Sequence, residues 1–203
     1  VTGLRGDGLQ DAVVNQHPGC VNVSVSNVIA EMDPLALDEY GSGATSDGDV
    51  FLINAINFSM SNCQIRNPRR AGVLWQPVQP GDVTNTLSCI IENVSGSSTN
   101  ANANATAVSV YLASASSTSV VSLISISNVA GNFTNGIYVD YYDSTVKKLQ
   151  IDSNNIEVSG TTGASTLATG VVRITTSMVG ATRPIDSISM SGGRYVHNTT
   201  TAG

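Results

Sequence analysis

The chain has 203 residues, of which 41% are hydrophobic and only 12% charged, and a formal net charge of −6. That length allows one elongated domain with a sizeable core, and an acidic chain with nine Lys and Arg disfavours nucleic acid and anionic membrane surfaces as partners. No run of 18 apolar residues offers a membrane-spanning helix, and no basic segment followed by an apolar stretch opens the chain as a leader would. It starts at Val1 without Met, which predicts a fragment or processed product of a longer chain.

Along the chain, short alternating segments recur in a fixed phrase. Val23, Val25, Ser26, Asn27 and Val28 form its first instance: two apolar residues spaced by one, a small polar residue, Asn, and another apolar residue. The stretch 29–40 contains the best helix formers but carries Pro34 in its middle, so no helix is expected there. A strand over 49–53 precedes the second phrase, Phe58, Met60, Ser61, Asn62, Cys63, and a strand over 72–75 precedes the third, Cys89, Ile91, Glu92, Asn93, Val94. The strand over 107–112 leads to Ile124, Ile126, Ser127, Asn128, Val129. That over 136–141 leads to Leu149, Ile151, Asp152, Ser153, Asn154, Asn155, Ile156, which reads as the phrase with one residue inserted. Residues 170–174 lead to Ile188, Met190, Ser191, Gly192, with Gly at the turn.

Period-two alternation specifies strands, and an Asn that interrupts it without ending the apolar pattern specifies a sharp bend, because Asn tolerates the left-handed region better than other non-Gly residues. The bends lie about 26 to 38 residues apart, a spacing natural to stacked units with loops of variable length. The unit is too short for a helical crossover, so each strand is expected to pair with its equivalent one unit later. The expected fold is all-β, a parallel β-helix of about six coils spanning roughly residues 21–196 within a single domain over 1–203. An antiparallel sandwich would also have short, regularly spaced strands, but it leaves the recurring Asn unexplained. Val25, Phe58, Cys89, Ile91, Ile124, Ile126, Ile151 and Met190 are the expected inward residues.

The paired phrases, the Asn bends and the surface rich in Ser, Thr and Asn resemble the right-handed parallel β-helix family of pectate-lyase-like proteins. Within it the likeness is to bacteriophage tailspikes and receptor-binding appendages. Gly6, Asp7, Gly8 and Asp11 resemble a segment that often opens such a β-helix in phage tail proteins. The resemblance implies a homotrimeric spike or fibre segment in a virion tail appendage, in contact with other tail proteins and with host cell-surface polysaccharide. In many relatives the polysaccharide is also cleaved, by carboxylates in a groove. An extracellular or bacterial-surface location is the alternative, as is a purely structural spacer or an adhesin. No short motif carries catalytic positions over, so the catalytic residues are left unassigned; no cofactor is implied.

Candidate binding residues come from aligning the strands that precede the bends. If Leu74, Val110, Val139 and Val172 stack inward, then Trp75, Tyr111, Asp140 and Arg173 point outward one above another, with Tyr138 and Tyr142 flanking Asp140. Rings beside a carboxylate and a guanidinium suit a sugar, which offers C–H faces for stacking and hydroxyls for polar contacts. The same residue types fill subunit interfaces, and a plain solvated surface is the third reading. A register slip of one would turn Trp75 inward.

Other signals carry less. Glu31, Asp33, Asp38, Glu39, Asp47 and Asp49 cluster around glycines without the spacing of a calcium loop, which reads as a solvated loop, so no metal site is expected. His17 and His197 lie near opposite ends and support no nucleophilic triad. Cys20, Cys63 and Cys89 are odd in number and read as thiols, the latter two as small core residues. The Asn-x-Ser/Thr triplets at Asn22, Asn57, Asn93, Asn104, Asn132 and Asn198 are what so Asn-rich a chain produces by chance.

Overall fold

Period-two alternation builds strands whose backbone polar groups must then find partners, and here they find them in parallel neighbours. The computed structural model describes residues 5–9, 13–15, 20–32, 49–68, 70–77, 86–98, 105–112, 119–142, 144–158, 171–176 and 184–198. Among these there is no helix, and the strands form one eleven-stranded and one six-stranded sheet. Going along the chain, β1 (Arg5–Leu9) lies in the larger sheet and β2 (Val13–Asn15) in the smaller. β3 (Asn22–Ser26) and β4 (Ile29–Met32) return to the larger, and β5 (Asp49–Ile53) to the smaller. The same alternation continues with β6 (Asn57–Arg66) and β7 (Ala71–Trp75), β8 (Thr86–Ser97) and β9 (Thr106–Tyr111), β10 (Val120–Phe133) and β11 (Asn135–Asp140). β12 (Thr145–Val146), β13 (Leu149–Asp152) and β14 (Asn155–Val158) then join the larger sheet and β15 (Val172–Thr175) the smaller. β16 (Ile188–Ser191) and β17 (Arg194–His197) complete the larger. Every pairing is parallel, so the all-β reading and the parallel register hold and the antiparallel sandwich is excluded.

Register places like over like. Val25, Met60, Ile91, Ile126, Ile151 and Met190 form one ladder, and Val23, Phe58, Cys89, Ile124, Leu149 and Ile188 another. All the expected inward residues are buried except Met190, which is 49% exposed beside Ile188 at 52%. Both stand in register on β16, the outermost strand of the described sheet order, where one flank of each side chain has no described strand against it. Packing in a stack comes from both neighbours, so the last rung is half covered.

The bends fall where the Asn phrase placed them. Asn27, Asn62, Asn93 and Asn128 adopt φ values of 55, 55, 54 and 52°, and Gly192 adopts 58°. The fifth bend differs from expectation, because nothing is inserted there. Ser153 itself takes the left-handed place (φ 55°), and Leu149 to Asp152 and Asn155 to Val158 keep register with β10 on both sides of it. Asn154 then occupies the position where the earlier bends have Val28, Cys63, Val94 and Val129. It is 1% exposed, accepts the Val129 N–H at 2.8 Å and donates to the Ile126 carbonyl at 3.3 Å, so its amide is satisfied where an apolar residue would otherwise sit.

Past the bend the inward ladder runs Ile65, Gly96, Gly131, Ile156 and Tyr195. Gly131 has φ +146°, and a Cβ there would lie 1.9 Å from the Gly96 carbonyl oxygen and 3.0 Å from the Phe133 ring. Phe133, fully buried, fills the space the two glycines leave. Gly131→Ala should therefore destabilise the chain by at least about 2 kcal/mol in denaturant unfolding, from backbone strain plus displacement of Phe133. The thiols give a second test. Cys63 and Cys89 are buried, and burial raises the pKa of both, whereas Cys20 is partly exposed, and none of the three is in a disulfide. Titration with an aromatic disulfide reagent should find one fast thiol in the native protein and the other two only after unfolding.

Candidate functional site

On the smaller sheet the inward ladder is Ile53, Trp75, Val110, Val139 and Ile174. Trp75 is thus an inward residue, fully buried, with its indole N–H donating to the Ala55 carbonyl at 2.8 Å. The expectation that it points outward is corrected. Trp75, not Leu74, lies beside Val110, and a slip of one residue exchanges the faces of a strand. Arg173 moved by two residues, pairing with Tyr138 where it was expected beside Asp140, and so kept its outward face. The outward ladder is Leu52, Leu74, Ser109, Tyr138 and Arg173, with Tyr111 and Asp140 side by side in the next row.

Of these, Leu74, Ser109, Tyr111 and Tyr138 border a groove of about 340 Å³, within the range of small-ligand sites. Ala71 and Leu74 give it an apolar base that continues into Leu52, and the rings of Tyr111 and Tyr138 form its aromatic part. Arg70, Gln76, Thr106 and Ser109 add polar groups around them. A shallower groove of about 200 Å³ on the larger sheet is bordered by Asn22, Ser24, Asn57, Ser59, Ser88 and Ile90, with Val23 and Phe58 as its other apolar residues, and has no Tyr or Trp.

Two buried carboxylates hold residues that border the larger groove. Asp49 is fully buried and accepts the Nε–H of Arg70 at 3.0 Å and a second, shorter bond from its Nη2, a bidentate clamp that holds the guanidinium at the groove edge. Asp140 is 1% exposed and accepts from the Tyr138 hydroxyl at 3.2 Å and from the Tyr142 backbone N–H at 3.0 Å. Tyr142 has φ 51°, so a left-handed turn brings its backbone N–H back to the carboxylate. The Arg173 guanidinium lies 5.5 Å from the Tyr138 ring centroid, a cation–π distance, and its buried Nη1 has no hydrogen-bond partner among the described residues. The Tyr138 hydroxyl is pushed up to about 12, first by burial and then by the Asp140 charge and hydrogen bond, with Arg173 opposing.

Of the six expected residues the structure brings Tyr111, Tyr138, Asp140 and Arg173 together, uses Tyr142 as a backbone donor and removes Trp75. Arg70, Leu74, Gln76, Thr106 and Ser109 were missed; correct register alone would have indicated Leu74 and Ser109. Of the acidic cluster, Glu31 accepts from Asn67 at 3.2 Å and lies 3.6 Å from Arg66, Asp49 pairs with Arg70, and Asp33, Asp38, Glu39 and Asp47 lie outside the described residues, as do Asp11, His17 and Asn104. Among the described residues no group of three His, Cys, Asp or Glu is placed to hold a metal ion, and no helix is long and apolar enough to cross a membrane. Comparison with family models, curated proteins and solved structures found no match.

The groove can hold a ligand against rings and hydroxyls, but its two supporting carboxylates are shielded from it. A general acid or base must reach the reacting bond, and a glycosidase needs two such carboxyls flanking it. Neither Asp49 nor Asp140 offers that. The Tyr138 hydroxyl should ionise near 12 in an ultraviolet titration, and Asp140→Asn should lower that value by removing the negative charge beside it. A folded-state value raised above the ordinary Tyr value means that this contribution to stability is present below the ordinary range and is lost as pH rises through about 12.

Proposed function

We propose that the chain is a right-handed parallel β-helix of about six coils from a virion tail appendage, and that it binds host surface polysaccharide through the groove on its smaller sheet. The observation that carries the reading is the composition of that groove. Two tyrosines, an apolar base, three uncharged polar side chains and an arginine border one concavity on an outward face. A pyranose presents apolar C–H faces and a rim of hydroxyls, and this set matches both. Binding without cleavage is favoured over depolymerisation because Asp49 and Asp140 are buried and hydrogen-bonded. Assembly as a homotrimer with other tail proteins belongs to the same proposal. A narrow stack exposes much surface for its volume, and partners that cover it add apolar burial.

A second reading has its own support. Leu52 and Leu74 point outward yet are only 8% and 6% exposed, and with Ala71 and Tyr111 they form an apolar cluster apart from the main core. Such a cluster also suits a contact between subunits. One substitution separates the two. Tyr111→Ala, measured against a panel of purified bacterial surface polysaccharides, should weaken binding by about tenfold or more with little change in unfolding midpoint or sedimentation if the groove is a sugar site. Dissociation of an oligomer by the same substitution would assign the face to an interface instead.

A further inference from the structure

The direction of one proton sets what the groove can recognise. Tyr138 borders the groove, and its single O–H donates to Asp140 Oδ2 at 3.2 Å. A phenol has one proton, so with that proton engaged its oxygen offers a ligand only lone pairs. Turning the proton toward a ligand would take a hydrogen bond from a carboxylate that is 1% exposed, which is costly for a buried charge. The other Asp140 oxygen is occupied by the Tyr142 N–H at 3.0 Å, which fixes the carboxylate behind the ring. Arg173, 5.5 Å from the ring centroid, packs on the same tyrosine from the next strand. A hydroxyl that donates to a carboxylate is also a stronger acceptor, because the two bonds polarise each other.

We infer that Tyr138 is a specificity determinant that accepts a hydrogen bond from its ligand, that Asp140 is the positioning residue that makes it so, and that the groove therefore selects a glycan with a free hydroxyl at this point over the same glycan capped by O-acetylation. The inference rests on the reading of the groove as a polysaccharide site. Capping replaces the donor with a carbonyl acceptor, and two acceptors then face each other. Sites built around a ligand hydroxyl discriminate strongly against analogues that lack it.

The experiment uses neutral, hydroxyl-rich polysaccharides (a mannan, a galactan and a glucan) and their chemically O-acetylated forms as probes, with the chain immobilised. The wild type should bind at least one unmodified polymer and bind its acetylated form about tenfold more weakly. Tyr138→Phe should weaken binding of the unmodified polymer and largely remove the difference between the two forms. In Asp140→Asn the side-chain oxygen is retained for the Tyr142 N–H and the amide can donate to the phenol oxygen, which turns the phenolic proton toward the groove. This variant should lose the preference while keeping near-ultraviolet dichroism and unfolding midpoint close to wild type, and its Tyr138 ionisation should fall. Equal binding of acetylated and free forms by the wild type, or an unchanged preference in both variants, overturns the inference and leaves the polysaccharide reading standing. Failure to bind any unmodified polymer overturns both.

Discussion

Each described strand in both sheets meets its partner on the next return of the chain to that sheet, parallel and, apart from one shift in β1 and one in β10, in register, and this vertical correspondence is the constraint on which the rest depends. Because parallel neighbours lie about 4.8 Å apart, a residue is packed chiefly by its counterparts above and below. Ile126 lies between Ile91 and Ile151, with all three fully buried. A change at one rung is therefore felt by the two adjacent rungs and little beyond, and stability accumulates as a sum of neighbour terms. The exposure of Ile188 and Met190 is the same rule seen where only one described strand lies against them.

Register on such a ladder has to be protected at the corners, because a slip at any bend would turn a whole strand inside out. At four of the bends Asn protects it by adopting the left-handed conformation at the same place, and Asn128 Nδ2, donating to Asn93 Oδ1 at 3.2 Å, ties two neighbouring bends directly. Ser153 can adopt the bend but has no amide to extend the tie. The next residue supplies it from inside, for Asn154 joins the Val129 N–H and the Ile126 carbonyl of the neighbouring strand. A polar side chain at an apolar position thus restores a link that the bend itself lacks, at no cost in unsatisfied groups. The glycines after the bend solve a different problem. With Gly96 over Gly131, the backbones are close enough that only hydrogen fits at either position, and the volume is returned to the core by Phe133.

The fold was legible because period-two alternation and the Asn bend are local signals, each complete within about six residues. Val25, Phe58, Ile91 and Ile126 could be placed inward without knowing anything of the neighbouring strand. The site was legible only in part, because it depends on alignment between strands separated by loops of unequal length. Leu74-Trp75 offers two large apolar residues in succession, and nothing within 72–75 says which one faces the core; the choice is made by Val110, Val139 and Ile174 on other strands. Arg173 survived a misalignment because the error was even, and Trp75 did not because the error was odd. Arg70 was out of reach for another reason, since its partner Asp49 lies 21 residues away and the two are joined only by the stacking of β5 on β7.

The two sheets also divide their labour on the outside. Outward positions of the larger sheet are mostly small and polar, with Ser24, Ser59, Ser125 and Ser189 in one row interrupted by Ile90 and Gln150. Outward positions of the smaller sheet carry Leu74, Tyr111, Tyr138 and Arg173. A row dominated by serines gives only the shallower concavity of the larger sheet, whereas residues of unequal size on adjacent strands create deeper relief, and relief is what a concave site requires. The smaller sheet can carry such residues because its inward ladder, with Trp75 and Phe51, leaves stability to the core and frees the outer face for chemistry. Burying Asp49 and Asp140 under that face then gives its polar groups fixed directions: the carboxylates orient Arg70 and Tyr138 while staying out of the groove, so the ligand meets the oriented groups and not the charges that orient them.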